Sequence, residues 1–105
     1  MDIIDSIHNY TIIRPILFTC ISWCEICKQL EPTNGRFFNY VLAINNRSIY
    51  VGQSRRLHDR LYTHKFKKNF NDVYLLEFET LENSTQNEKA LIYGLQPKLN
   101  INGIN

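Results

Sequence analysis

The stretch FFNYVLAINNRSIYVG, residues 37–52, determines the first part of the fold. Residues 37–44 are rich in strand-forming types, and residues 48–51 resume that composition after a short polar break. The break contains Asn45 and Asn46, and asparagine tolerates the positive φ values of tight hairpin turns. Gly52 ends the second run. The sequence therefore predicts a β-hairpin over this stretch.

A helix is predicted directly after the hairpin. Ser54 can cap its start, and the helix is expected to run to about Lys67. Leu57 and Leu61 lie four residues apart and give this helix an apolar side.

A third strand and a second helix complete the predicted pattern. Residues 73–79 are rich in strand formers, and Ser84 or Thr85 can cap a last helix that Gly94 and Pro97 end. The order β-β-α-β-α predicts an α+β fold: a three-stranded antiparallel sheet flanked by helices.

The N-terminal third of the chain is harder to interpret. Residues 12–21 are too densely apolar to show a helical or strand period. A chain of 105 residues suffices for one domain, so we expect residues 1–35 to be an extension packed on or near a domain of residues 36–105. The start lacks a basic secretory signal, and no apolar run is long enough to span a membrane, so a cytoplasmic protein is expected, in a host cell if it is viral.

Basic residues concentrate in one part of the chain. Residues 47–68 hold seven Lys and Arg against one acidic residue, Asp59, which gives +6, whereas the whole chain carries +2 and the remainder therefore −4. Such asymmetry favours an anionic partner, commonly a nucleic acid. A solvated helix face rich in Lys and Arg explains the same pattern equally well.

Several side chains have the chemistry of phosphodiester hydrolysis. A carboxylate can hold one hard cation, an arginine can fork onto phosphate oxygens, and a tyrosine or histidine can accept a proton from water. A turn at the two asparagines places Tyr40 and Tyr50 opposite or diagonally adjacent, and Arg60 and His64 share a helix face. Each also has an ordinary structural explanation: the tyrosines as cross-strand aromatics, Arg60 as a solvated surface charge, His64 as a residue favoured by the dipole at the C-terminal end of a helix, and Glu88 as the acidic end of a capping box.

The spacing of these residues resembles the GIY-YIG nuclease superfamily. Residues 38–40 (FNY) and 50–52 (YVG) occupy the positions of the GIY and YIG motifs that give the family its name. Arg60 follows Gly52 by eight residues, and Asn100 follows Glu88 by twelve. The resemblance covers about residues 37–103. Phe38 and Asn39 stand where the family's Gly and Ile are found.

The resemblance implies a catalytic role for each matching residue. Tyr40 would deprotonate or position the attacking water, and Tyr50 would assist at the phosphate or position that water. Arg60 would stabilise the transition state, and His64 would support the base or the scissile phosphate. Asn100 would brace the site by hydrogen bonding.

The resemblance further implies a metal-dependent DNA endonuclease. Glu88 would hold one Mg²⁺ (or Mn²⁺), and hydrolysis would leave a 5′-phosphate and a 3′-hydroxyl. The expected substrate is duplex DNA cut with low sequence specificity, and a homo-oligomer or a recruiting protein could add specificity. A small chain rich in Asn and Ile suits a phage or mobile element. The residues expected to grip phosphates are Arg47, Gln53, Arg55, Arg56, Lys65, Lys67 and Lys68.

Two other functions remain open. The chain could be a catalytically inactive nucleic-acid-binding module of the same fold. It could also be a thiol-redox or zinc-binding protein built on Cys24 and Cys27, with His8 as a poorly spaced further zinc ligand. The spacing Cys20-x3-Cys24-x2-Cys27 also matches the iron–sulfur signature of radical S-adenosylmethionine enzymes. The chain is too short for the barrel that those enzymes need. We expect the cysteines to be buried or half-buried free thiols in a helix.

Overall fold

A computed structural model describes residues 2–22, residue 25 and residues 35–101. In this part of the chain the strands form one antiparallel sheet with the order β1-β4-β2-β3. The elements, in chain order, are α1 (Ile3–Tyr10), β1 (Leu17–Ser22), β2 (Phe37–Ile44), β3 (Arg47–Ser54), α2 (Leu57–Lys67), β4 (Asp72–Phe78), α3 (Leu81–Leu95) and α4 (Lys98–Ile101).

The predicted three-stranded sheet is wrong, because the described residues form four strands. The additional strand is β1, which pairs antiparallel with β4 from Leu17↔Glu77 to Ser22↔Asp72. It lies at the edge of the sheet, and its exposed and half-buried positions do not alternate regularly. The pattern of apolar residues in this segment therefore carried no strand period to detect.

The predicted hairpin is confirmed, and it contains an irregularity that the sequence did not reveal. Asn45 and Asn46 form the turn with φ values of 51° and 63°. The pairing then shifts by one residue, from Ala43↔Ser48 to Leu42↔Tyr50. This β-bulge leaves Ile49 as the extra residue on β3.

The helix ends differ from the predicted ones. Ser54 accepts a hydrogen bond from the Arg56 amide but is not the cap of α2, which begins at Leu57. Helix α3 begins one turn earlier than predicted, because the Thr80 hydroxyl accepts from the Asn83 amide as its N-cap. It ends at Gln96, whose φ of 46° is left-handed, so Gly94 lies inside the helix.

Helices cover both faces of the sheet. The face towards α2 buries Phe38, Tyr40, Leu42, Tyr50, Val73 and Leu75 against Leu57, Leu61 and Phe70. The face towards α1 and α3 buries Val41, Ala43, Val51, Tyr74, Leu76 and Phe78 against Ile3, Ile7 and Leu91. Alternate residues of β2 therefore enter two separate cores, as the period of a strand buried on both faces requires.

A buried polar network joins β2 to α3 and to the N-terminal segment. The Asn39 amide nitrogen donates to the carbonyl and the hydroxyl oxygens of Ser84, each at 2.9 Å. Asn87 in turn donates to the Asn39 side-chain oxygen at 3.1 Å. The Asn87 oxygen accepts from the backbone amides of Ile12 and Ile13 at 2.9 and 3.3 Å. These contacts fix the distance between β2 and α3.

Cys20 is the cysteine that the structure describes, and it contradicts the expectation of a shielded helical thiol. It is exposed and lies on β1. Cys24 and Cys27 lie outside the described residues, so the thiol or zinc alternative stays a prediction. Within the described residues, no helix combines the length and apolar character needed to cross a bilayer.

Candidate active site

Three of the predicted site residues form a compact cluster on the α2 side of the sheet. The Tyr40 hydroxyl oxygen on β2 and the Nε2 atom of His64 on α2 are 2.7 Å apart, within hydrogen-bond distance. The Tyr50 ring centroid lies 6.2 Å from that of Tyr40 and 4.8 Å from that of His64. Tyr40 and His64 are 1% and 7% exposed, so their hydrogen bond is shielded from bulk water.

The β-bulge brings the two tyrosines to one face. A two-residue turn with regular pairing would place Tyr40 opposite Val51 and send Tyr50 to the other face. The extra residue changes the pairs to Tyr40↔Gly52 and Leu42↔Tyr50. Tyr50 is therefore a diagonal neighbour of Tyr40 on the same face, one of the two predicted arrangements.

Gly52 makes room for the Tyr40 ring. A Cβ atom built on Gly52 would overlap the Cζ atom and the hydroxyl oxygen of Tyr40. The absence of a side chain thus lets the phenol lie across the β3 backbone and reach His64.

Lys68, immediately after α2, completes the cluster. Its Nζ atom lies 2.9 Å from Nδ1 of His64 and 4.7 Å from the centroid of the Tyr50 ring. Burial, together with the charges of Lys68, Arg60 and Lys67, lowers the pKa of His64 from 6.5 to about 4. The imidazole is therefore neutral at neutral pH.

Arg60 and Glu88 lie close enough to act electrostatically on the tyrosines. Burial raises the pKa of Tyr40 and of Tyr50, and the Glu88 carboxylate raises both further, whereas the Arg60 guanidinium lowers both. Arg60 is exposed on α2, and none of the described residues forms a hydrogen bond or an ion pair with its side chain. Its guanidinium is thus available to an anion next to the tyrosines.

Glu88 approaches the cluster from α3, on the opposite layer of the fold. The alternative explanation of Glu88 as the acidic end of a capping box is wrong, because α3 begins at Leu81 and Glu88 lies in the middle of the helix. The carboxylate is half-buried, burial raises its pKa, and no described residue donates a hydrogen bond to it. Such a carboxylate fits a divalent cation that keeps most of its waters. Among the described residues, no group of three or more His, Cys, Asp and Glu side chains is placed to hold a metal ion together.

Asn100 lies on α4 and binds the free edge of β3. Its side-chain oxygen accepts from the Val51 amide at 2.7 Å, and its amide nitrogen donates to the Val51 carbonyl at 3.0 Å. This pair satisfies both backbone groups of the residue between Tyr50 and Gly52. It therefore holds the backbone that carries Tyr50.

An open cleft of about 770 Å³ lies beside the cluster, at the start of α2. Three cationic side chains line it, those of Arg55, Arg56 and Arg60, together with one acid, Asp59. Arg60 links the cleft to the tyrosines, which do not line it. An anionic polymer in this cleft would meet a net positive surface.

The remaining predicted phosphate-binding residues are only partly brought together. Gln53 lines the cleft and donates to the Thr85 hydroxyl at 2.8 Å. The Lys65 ammonium donates to the Phe70 carbonyl at 2.6 Å. Arg47 lies in a separate groove that also contains Tyr10 and Gly94. Lys67 is exposed at the last residue of α2.

Two features of the site were not found from the sequence. Lys68 was assigned to phosphate binding, although its spacing of four residues from His64 was a usable signal. The Asn39–Asn87 contact gave no local signal, because its partners are 48 residues apart.

The chain was compared with protein-family models, with curated proteins and with solved structures, and none of the three comparisons found a match.

Proposed function

We propose that this protein is a metal-dependent DNA endonuclease of the GIY-YIG type. The observation that carries the proposal is the 2.7 Å contact between Tyr40 and His64, with the Tyr50 ring against the histidine. Two buried phenols and a neutral imidazole within the reach of an arginine and a carboxylate form a constellation suited to activating water beside a phosphate.

Hydrolysis in this site would proceed by attack of water on phosphorus. Tyr40 would act as its phenolate, after its own proton has been lost to solvent, and the phenolate oxygen would accept the proton of the water while the new P–O bond forms and the bond to the 3′ oxygen breaks. The products are a 5′-phosphate and a 3′-hydroxyl, which takes its proton from solvent. Arg60 stabilises the charge that builds on the non-bridging oxygens, and Tyr50 positions the water. One Mg²⁺ held by Glu88 would supply Lewis-acid stabilisation of the phosphate and of the leaving oxygen.

The cleft at the start of α2 suggests how DNA would be held. Arg55, Arg56 and Arg60 line it, and each can contact backbone phosphates without reading bases. We therefore expect binding to depend on salt and to show little sequence preference.

Cleavage of supercoiled plasmid in the presence of Mg²⁺ tests the proposal. The wild-type protein should nick or linearise the plasmid, and chelation should stop the reaction. Glu88→Gln and Arg60→Ala should each lower the rate by about 10² to 10³, the usual cost of removing one group that stabilises the transition state. Glu79→Gln and Arg14→Ala remove the same charges at exposed positions outside the cluster and should retain activity.

A binding module without catalysis would give a different result. Such a protein would shift DNA in a salt-dependent manner and leave the plasmid intact at every Mg²⁺ and Mn²⁺ concentration. Equal cleavage by wild type and Glu88→Gln would also refute the proposed role of the carboxylate.

A further inference from the structure

We propose that Lys68 is a positioning residue that holds His64 in the tautomer protonated on Nε2, so that His64 donates to the Tyr40 oxygen. The inference deepens the proposed function, on which it rests for the role of Tyr40 as proton acceptor. It assigns to Lys68 a function other than phosphate binding.

The direction of each hydrogen bond follows from the donor inventory of the three groups. A lysine ammonium has three donors and no acceptor, so at 2.9 Å it can only donate to Nδ1 of His64. A neutral imidazole with an accepting Nδ1 carries its proton on Nε2. That proton points at the Tyr40 oxygen, 2.7 Å away, which must accept it.

This chain of hydrogen bonds has a chemical consequence at Tyr40. A donor aimed at the phenol oxygen stabilises the phenolate and leaves the phenol proton directed away from His64. His64 then has no lone pair free to accept a proton from the water. The base is the Tyr40 phenolate, which forms when the phenol proton leaves to solvent, and His64 supports it as a donor.

The surroundings of Lys68 favour this role. The side chain is half-buried, and its ammonium lies over the Tyr50 ring at 4.7 Å from the centroid. A cation held between a ring face and an imidazole is restricted in position. Among the described residues, Tyr40 and Tyr50 from the hairpin and Arg60, Lys67 and Lys68 from α2 and the residue after it face His64, and these three charges favour a neutral ring.

Nitrogen-15 NMR of the histidine side chains tests the tautomer directly. The chain has three histidines, so the His64 signals are assigned by their loss in His64→Gln. At pH 7 the wild type should hold less than about a tenth of His64 in the Nδ1-protonated form, as a charge-assisted hydrogen bond implies. Lys68→Met should raise that fraction several-fold and also raise the His64 pKa, whereas Lys68→Arg should restore the Nε2 form.

Lys67→Met is the matched control, because it removes the same charge one residue away from an exposed position. It should leave the tautomer unchanged. A wild-type His64 protonated on Nδ1 would overturn the inference without any variant. An unchanged tautomer in a folded Lys68→Met protein would overturn it as well.

Kinetics separate positioning from phosphate contact. Lys68→Met should lower kcat by about 10² or more, since loss of tautomer control at a catalytic histidine costs up to about 10⁴, and should leave the Kd for DNA nearly unchanged. A weaker Kd with a salt slope smaller by about one and an unchanged kcat would make Lys68 a phosphate contact and refute the inference. If the wild type cleaves no DNA, the proposed function fails, and the NMR result still decides how Lys68 and His64 are bonded.

Discussion

Replacement of Gly52 by alanine should destabilise the protein, although alanine normally stabilises a strand relative to glycine. The new Cβ would overlap the Tyr40 ring, which is 1% exposed. Overpacking of this kind costs about 1–3 kcal/mol, and weakening the bond to His64 adds about 1 kcal/mol. The backbone gain of about 0.5–1 kcal/mol offsets only part of this cost. We expect a net loss of about 2 kcal/mol.

Urea denaturation followed by circular dichroism would measure this loss as a lower midpoint with an unchanged slope. For a domain of this size, 2 kcal/mol corresponds to a decrease in Tm of about 10 °C. The variant should also lose the proposed nuclease activity, because Tyr40 and His64 would no longer be aligned.

A double-mutant cycle with Tyr40→Ala tests the cause. If the Tyr40 ring is the obstacle, Gly52→Ala should cost little in the Tyr40→Ala background, giving a coupling energy of about 2 kcal/mol between the two sites. An equal cost in both backgrounds would show that the glycine is needed for its backbone and not for the space it leaves. A stabilised single variant would refute the reasoning altogether.

Three further predictions concern pH and buried polar contacts. The unfolded chain protonates His64 near pH 6.5 and the folded chain only near pH 4, so the free energy of unfolding should fall by about 3 kcal/mol between pH 7 and pH 4. Urea unfolding of His64→Gln across this range should lack this decrease. An equal decrease in both proteins would contradict the assignment of the pH dependence to His64. Asn39→Ala leaves a buried amide donor of Asn87 unpaired and should cost about 1–3 kcal/mol in the same assay, so a loss within error of zero would show that water replaces the contact. Asn100→Ala leaves both backbone groups of Val51 without their Asn100 partner. Hydrogen exchange of the Val51 amide should accelerate at least tenfold, which corresponds to a loss of about 1.4 kcal/mol in the free energy of local opening. Unchanged protection would mean that α4 is dispensable for the edge of β3.

Local patterns made much of the fold predictable. The run of strand formers on both sides of Asn45 and Asn46 carried its own turn signal, so β2 and the turn were found at their observed positions, although β3 runs three residues beyond its predicted end at Val51. Leu57 and Leu61 likewise marked the buried side of α2, and both are fully buried. These features depend on residues that are close in sequence.

Features that depend on distant partners were not predictable. Strand β1 exists because β4 offers an unpaired edge, and nothing within residues 17–22 reveals that partner. The end of α3 was misplaced because Gly94 looks like a terminator, whereas its lack of a side chain serves contact with the Tyr10 ring. Spacing selected the proposed site residues, but the role proposed for Lys68 depends on the direction of its side chain, which spacing alone leaves open.

The bulge at Ile49 restricts how many residues can lie between Tyr40 and Tyr50 in this hairpin. Across a two-residue turn with regular pairing, residues on the two strands share a face only when their residue numbers differ by an odd number. The numbers of Tyr40 and Tyr50 differ by ten. The extra residue of the bulge brings two residues whose numbers differ by an even number to the same face. Insertions or deletions between the tyrosines should therefore be tolerated in pairs, whereas a single one would turn Tyr50 into the opposite core unless the bulge were lost at the same time. A chain with the same turn in which the two tyrosine numbers differ by an odd number would need no bulge. The difference between the two residue numbers therefore predicts which hairpins carry a bulge.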